Sequence, residues 1–469
     1  VIPPGRKIPG PSAGHTHDGT IAAISTPPGP GAIGMVRVSG PDALSVVQKV
    51  FAPASPGKTP FPARRALFGR AHYPDRPSDP IDLGVLTYFN GPKTYTGEDL
   101  AEVTLHGGPL ILQTFLQAVL RAGARLAEPG EFTRRAFLNG RMDLSQAEAV
   151  AGLIFSATDE ARRVMLRQVE GAMGRQSSSM RESLLESKVL LEASIDFPEE
   201  VEGEERLRVR GLLAQTQDRA ARLLKTTRMG MALREGLRVV IAGAPNVGKS
   251  SLLNALLQEE RAIVHETEGT TRDYIEGTLN VGGLPVKVVD TAGIRVSADA
   301  LEQEGVRRTR GLMDRADAVL LVLDSSRPLY PQERTLLEEG GGAARVVAVN
   351  KQDLETHPAF HPPPGAVNVS ALRGTGIEDL KRAINAAFMG GGPDPDPEKG
   401  VVISLRQAEA LERVRDGCAR ALDALRESGW PEVAVVGVDE ALAALGELSG
   451  EVTSEEVLEG IFGRFCIGK

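Results

Sequence analysis

The residues whose spacing carries the most chemistry are Gly243-Ala244-Pro245-Asn246-Val247-Gly248-Lys249-Ser250. They follow a strand-like run, LRVVIAG, and open a helical run, SSLLNALL. In that context G-x-x-x-x-G-K-[ST] is a phosphate cradle: two glycines let successive backbone N–H groups wrap the phosphates, Lys249 sets a cation on the β and γ groups, and the Ser250 hydroxyl ligates Mg²⁺. Asn246, Val247 and Ser251 belong to the same cradle. Asp290-Thr291-Ala292-Gly293 follows the strand VKVVD, where a carboxylate can hold the metal through water and the Gly293 N–H can sense the γ-phosphate. Asn350-Lys351-Gln352-Asp353 ends the strand ARVVAVN. Its aspartate can accept two hydrogen bonds from guanine N1–H and the 2-amino group, an edge that adenine lacks. Ser370-Ala371-Leu372 adds a backbone contact to the base carbonyl, and Gly269-Thr270-Thr271-Arg272-Asp273 forms a candidate switch, with Thr271 completing the Mg²⁺ shell. Order and context together predict a GTP-hydrolysing domain.

One position departs from that pattern. Ile294, directly after Gly293, cannot hydrogen-bond to an attacking water. From spacing alone, Glu302 or Glu304 can orient the water, and Arg272, Arg295 or a bound cation can supply transition-state charge.

These motifs need strands and helices to hold them. Residues 1–18 are rich in Pro and Gly without periodicity and are expected to form a disordered tail. Short alternating runs from Thr20 (IAAIS, AIGMVRVSG, LGVLTYF, DLAEVTLHGG) with a helix over 109–122 predict a small α/β domain over 19–140. Helical spacing then runs through Val150, Leu153, Ile154, Ala157, Ala161, Val164 and Met165, again from about Met180 to Ile195, and from about Leu207 to Leu233. Strands alternating with helices over 236–392 predict a parallel sheet wrapped by helices. Gly390-Gly391-Gly392-Pro393-Asp394-Pro395-Asp396-Pro397 reads as a linker, followed by helices near 404–428, 438–448 and 454–462. The predicted class is α/β plus all-α: an N-terminal α/β domain, a discontinuous helical bundle from 141–235 and 393–469, and an inserted Ras-like P-loop GTPase domain.

The chain has 469 residues, 25% of them charged, a net charge of −8 and two cysteines, Cys418 and Cys466. This composition fits several globular domains and excludes a disulfide scaffold, and the acidic balance makes any nucleic-acid contact local. No run approaches the ~18 apolar residues of a membrane span, so the expected location is cytoplasmic.

The segments GAPNVGKSSL, GTTRD, DTAGIR, NKQD, PPGPGAIGMVRVSG, TYTGED and PGEFTRRAFLNGRMDLSQAEAV, with the terminal Cys466-Ile467-Gly468-Lys469, resemble the MnmE (TrmE) family of tRNA modification GTPases from about Thr20 to Lys469. The resemblance implies a dimerising, folate-binding N-terminal domain and a homodimer. It further implies a flavin-using partner, MnmG (GidA). Together the two install an aminomethyl or carboxymethylaminomethyl group at C5 of the wobble uridine of certain tRNAs, and 5-formyl- or 5,10-methylene-tetrahydrofolate supplies the one-carbon unit. It implies that Glu302 orients the water and that K⁺ supplies positive charge, held by Asn246 with His265, Thr267 and Thr270. His265 stands where the family carries a threonine, and Arg141 where a lysine is common. The folate positions fall on Arg37, Glu102, Arg141 and Lys469. Without the resemblance, Glu102, alternating with Ala101, Val103 and Leu105, reads as the wet face of a strand. The competing reading is a GTPase that assists ribosome assembly by binding RNA. Gly31-Ala32-Ile33-Gly34 offers the clamp of a KH domain, but a strand follows it where that fold needs a helix.

Overall fold

The structure is a computed structural model and describes residues 19–55, 61–197, 203–259, 275–290, 316–338, 344–389, 401–427 and 431–469. The tail expected at 1–18 and the linker expected at 390–397 lie outside these residues. The chain forms two compact units, one from 1–151, 177–213 and 416–469, the other from 152–176 and 214–415.

The first unit is built on a seven-stranded sheet. Its strands are β1 (Ile21–Ile24), β2 (Gly31–Ser39), β3 (Phe51–Pro53), β4 (Ala66–His72), β5 (Pro80–Phe89), β6 (Leu100–Gly107) and β7 (Arg125–Leu126), in the order β3-β4-β5-β6-β2-β1-β7. Neighbours are antiparallel except β1 and β7. Period-two alternation divides the faces. Val36, Val38, Leu86, Ala101, Val103 and Leu105 are buried on one face with Phe115 of helix α2 (Pro109–Arg121) and with Val46 and Val47 of α1 (Ala43–Gln48). Burying a side chain such as Phe115 contributes about 1.5–3 kcal/mol. The register pairs Arg37 with Glu102, Met35 with Thr104 and Ile33 with His106, which puts all six on the opposite face.

Helix α3 (Glu131–Leu138) brings Phe132 beneath Ile21 and Ala23 at one end of that second face. The helix is fixed by ion pairs. Arg135 bonds Glu131 at 3.0 Å and Glu98 at 3.1 Å, and Arg125 bonds Glu131 at 2.5 Å. Helix α4 (Leu144–Ile154) follows. The terminal strip returns to this domain: Ile467 bridges Pro129, the Ser25 hydroxyl donates to Gly468 O at 2.9 Å, and Phe132 N–H donates to Lys469 O at 3.1 Å. Gly468 has φ +99, and a Cβ there would lie 2.3 Å from Ile24 O.

Helical spacing was right about type more than about extent. The expected run through Val150–Met165 is two helices, α4 and α5 (Asp159–Val169), because Thr158 leaves the helical conformation and its hydroxyl caps Ala161 N–H at 3.2 Å. Helix α6 (Ala172–Asp196) starts eight residues before Met180, and the third run divides into α7 (Gly203–Leu224) and α8 (Thr227–Glu235). The later helices α12 (Leu405–Glu427), α13 (Pro431–Ser449) and α14 (Glu455–Phe462) occupy the expected stretches, with α13 longer because Pro431 suits a first helical position. The division between the units falls inside α4, α6, α7 and α12.

The second unit holds a six-stranded sheet. Its strands are β8 (Leu237–Ala242), β9 (Ile275–Val281), β10 (Leu284–Asp290), β11 (Ala318–Asp324), β12 (Ala344–Asn350) and β13 (Val367–Asn368), ordered β13-β12-β11-β8-β10-β9. All pairs are parallel except β9 with β10. Every residue of β11 is buried, as expected for a strand covered on both faces. Helices α9 (Lys249–Glu259), α10 (Pro331–Glu338) and α11 (Ile377–Met389) complete it. From β8 the order runs to β10 on one side and β11 on the other, so the carboxyl end of β8 is the crevice where such sheets bind ligands.

Candidate functional site

The phosphate cradle opens at that crevice. Gly243 has φ +149, and a Cβ there would lie 2.4 Å from Val322 O on β11. Gly248 has φ +94, and a Cβ there would lie 2.4 Å from Asn350 Nδ2. Only glycine meets both demands. Asn246, at the outer bend, takes φ +62, a conformation asparagine tolerates. Lys249 folds back over the loop and donates to Gly243 O and Ala244 O at 2.9 Å each. Ser250 and Ser251 occupy the first turn of α9 and are exposed. Asp290 ends β10, level with Ile241 of β8.

The loops of the Asn350 and Ser370 motifs converge through Asn350, which is 2% exposed. Its Nδ2 donates to Val247 O at 2.9 Å and its Oδ1 accepts from Ala371 N–H at 3.0 Å. One side chain thus ties the phosphate loop to Ser370-Ala371-Leu372. Ser370 donates to Asp353 at 2.5 Å, which holds that carboxyl below its usual range, and Leu372 is exposed. Lys351 has φ +66 and pairs with Asp324 at 2.6 Å. Gly269, Thr270, Thr271, Thr291, Ala292, Gly293 and Ile294 lie outside the described residues, as do Glu302, Glu304, His265, Thr267, Arg272 and Arg295. Of the expected metal ligands, Ser250 and Asn246 are described.

A second cluster lies on the open face of the seven-stranded sheet. Arg37 donates to Glu102 Oε1 through Nη2 at 2.7 Å and through Nε at 3.1 Å. The Arg37 guanidinium lies 5.7 Å from the ring centres of both Tyr95 and Phe132. Tyr95 bonds Thr133 at 2.9 Å, and burial raises its hydroxyl pKa. Lys469 joins this cluster: burial, then the charge of Arg37, lowers its ammonium pKa, against the pull of Glu102. Arg141 stands one loop away, where its Nε donates to Thr94 O at 3.1 Å beside Tyr95. Cys466 is exposed, whereas burial pushes the Cys418 thiol up to about 12. Gly31-Ala32-Ile33-Gly34 lies inside β2, which leaves no helix for a KH clamp.

Two family models match. One describes the GTP-binding protein TrmE N-terminus and covers residues 20–141, and the other describes the MnmE helical domain and covers 144–466. The chain belongs to the MnmE family of tRNA modification GTPases. Curated relatives named tRNA modification GTPase MnmE agree along almost their full length. The Aquifex aeolicus protein is 43% identical over 96% of this chain and 99% of its own, and the Symbiobacterium thermophilum protein is 44% identical over the same shares. The Heliobacterium modesticaldum protein is 43% identical, again over 96% and 99%. Against this MnmE frame, the motif reading missed Asp324, which grips Lys351, and Tyr95 and Phe132, which flank Arg37. Asp324 had a signal: AVLLVLD ends on a carboxylate at the mouth of a buried strand, as VKVVD does.

Proposed function

We propose that this chain is a potassium-activated, Mg²⁺-dependent GTPase acting as a homodimer with the flavin-dependent partner MnmG. In this reading it adds a carboxymethylaminomethyl or aminomethyl group to C5 of the wobble uridine of certain tRNAs, using a tetrahydrofolate one-carbon unit. The domain reading that goes with it is 19–140, a split helical domain of 141–235 and 393–469, and a GTPase domain of 236–392.

The observation that carries the folate half is the meeting of Arg37, Glu102 and Lys469 beside two aromatic rings. The donor set fits the group. A pterin edge presents amino and ring N–H donors that a carboxylate such as Glu102 accepts, and its glutamate tail suits a guanidinium or ammonium. Tyr95 offers part of an aromatic ring while Phe132, fully buried, backs Arg37 from within the core, and Lys469, partly withdrawn from water, gains by pairing with an anion. When bound, the tetrahydrofolate derivative would supply the one-carbon unit. The chain's part is to orient the pterin through Glu102 and Arg37 and to screen it from water.

In the nucleotide site, the cradle N–H groups and Lys249 hold the phosphates, Ser250 suits Mg²⁺, and Asp353 selects guanine. Asn246, at the bend of the cradle, would help to hold K⁺, and Glu302 is assigned the water. A bound K⁺ would supply positive charge for the transition state.

The deciding experiment is calorimetric titration of 5-formyl-tetrahydrofolate into the full chain and into Arg37→Ala and Glu102→Ala. The expected result is saturable binding, weakened about a hundredfold or more in each variant, as for removal of one partner of a charge-assisted pair. A chain that binds GDP but shows no heat with the folate overturns the one-carbon reading.

A further inference from the structure

Asp324 lies at the carboxyl end of β11, 4% exposed, with both carboxylate oxygens hydrogen-bonded. Its Oδ1 accepts from the Ser326 N–H at 2.9 Å and the Ser326 hydroxyl at 2.6 Å, and its Oδ2 accepts from Lys351 Nζ at 2.6 Å. Arg327 approaches Oδ2 at 3.8 Å and is itself held by Glu333 at 2.8 Å. The pair is buried only on the Asp324 side, since Lys351 is 30% exposed, and an ion pair of this kind adds little net stability by itself. The ends of β11 and β12 do not need this pair to stay together. They share a seven-residue parallel ladder, and Ser325 bonds Asn350 O through its N–H at 3.2 Å and its hydroxyl at 3.0 Å.

The pair instead fixes one side chain at both ends. The Lys351 backbone sits at φ +66, between Asn350, which ties two loops, and the carboxylate of Asp353. Its ammonium is tied to Asp324. The four-carbon stem between is therefore held in one arrangement beside the carboxylate that reads the base.

We propose that Asp324 is a positioning residue for guanine nucleotides: by anchoring the Lys351 ammonium it holds the lysine stem as one wall of the base slot. Ser326 acts in the same chain by fixing the second oxygen of Asp324. The inference rests on the guanine-site reading above. That reading has its own check, because Asp353→Asn should shift preference from GDP towards XDP, whose 2-carbonyl accepts from an amide.

The test is a double-mutant cycle on the full chain, read as GDP affinity and as KM and kcat for GTP, with Asp324→Asn, Lys351→Met and the pair. Asp324→Asn should weaken GDP about tenfold, the weight of one charge-assisted hydrogen bond, and raise KM by a similar factor while kcat falls less than about twofold. In the Lys351→Met background, where the stem remains but the ammonium is gone, the same substitution should change affinity less than about twofold. Ser326→Ala gives a milder arm, about threefold with Lys351 present and none without it, and serves if Asp324→Asn does not fold. Equal losses in both backgrounds, or an Asp324→Asn chain with unchanged GDP affinity, overturn the proposal. Failure of Asp353→Asn to accept XDP would instead strike the site reading.

Discussion

At the scale of single residues, the site is held by side chains that touch other loops more than by those that face solvent. Asn350 is the clearest case, since its amide joins the phosphate loop to the loop bearing Ala371. Asp324 carries a pH signature as well. Burial alone would raise its carboxyl pKa, but the hydrogen bonds from Lys351 and Ser326 outweigh burial and leave it below the ordinary value. The folded state thus binds a proton there less readily than the unfolded chain does. The stability Asp324 contributes is fully present above the unfolded value of about 3.9 and is lost as pH falls through the lower folded value. Urea titrations of the parent and Asp324→Asn should therefore differ by a constant amount from about pH 8 to 5 and converge below about pH 4. A gap that widened on acidification would mean that burial, not pairing, sets that carboxyl.

At the scale of elements, close backbone approach decides which glycines matter. Helices α12 and α13 cross at Gly417 and Gly437, where a Cβ on either would lie 2.6 Å from the other's carbonyl oxygen. Gly437→Ala should lower unfolding stability by about 1–3 kcal/mol, the usual penalty of overpacking. Gly211 in α7 has open space around a Cβ, so Gly211→Ala should instead add up to about 1 kcal/mol through helix propensity. Thermal and chemical denaturation of both variants reads the contrast, and equal shifts would remove the crossing as the cause. Helical spacing predicted stretches near 404–428 and 438–448, but the glycine pair carries no period. Its meaning exists only once the two helices meet.

At the scale of the molecule, one face of the seven-stranded sheet is covered by α1 and α2, and the other leaves Ile33, Phe68 and Leu83 exposed at 68%, 58% and 47%. Apolar side chains gathered on one open face suit a protein partner, and the homodimer proposed here supplies one. If K⁺ draws two GTPase domains together, GTP hydrolysis should be faster in KCl than in NaCl at equal ionic strength. The rate per chain should rise with protein concentration, and Glu302→Ala should lower it at least about tenfold, the scale of losing a water-orienting group. Equal rates in the two salts would remove potassium from the mechanism, and an undiminished Glu302→Ala chain would remove Glu302. Among the described residues, no helix is long and apolar enough to cross a membrane.

Features of local order were legible from the residues alone: the strand–loop–helix context of Gly243 to Ser250, the α/β plus all-α class, and the family, whose motifs are contiguous words. The sequence also placed most helices, with errors where a capping side chain, Thr158, outweighed continuous apolar spacing. It could not show that Arg37 stands opposite Glu102, because their pairing is a matter of strand register 65 residues apart. Residue spacing alone, without the family resemblance, could not bring Lys469 to that pair from the far end of the chain, or tie Lys351 to Asp324 across two strand ends. Those placements are set by sheet order and by hydrogen bonds between distant segments. A charged residue on an alternating strand has the same local signature whether it faces water or a partner.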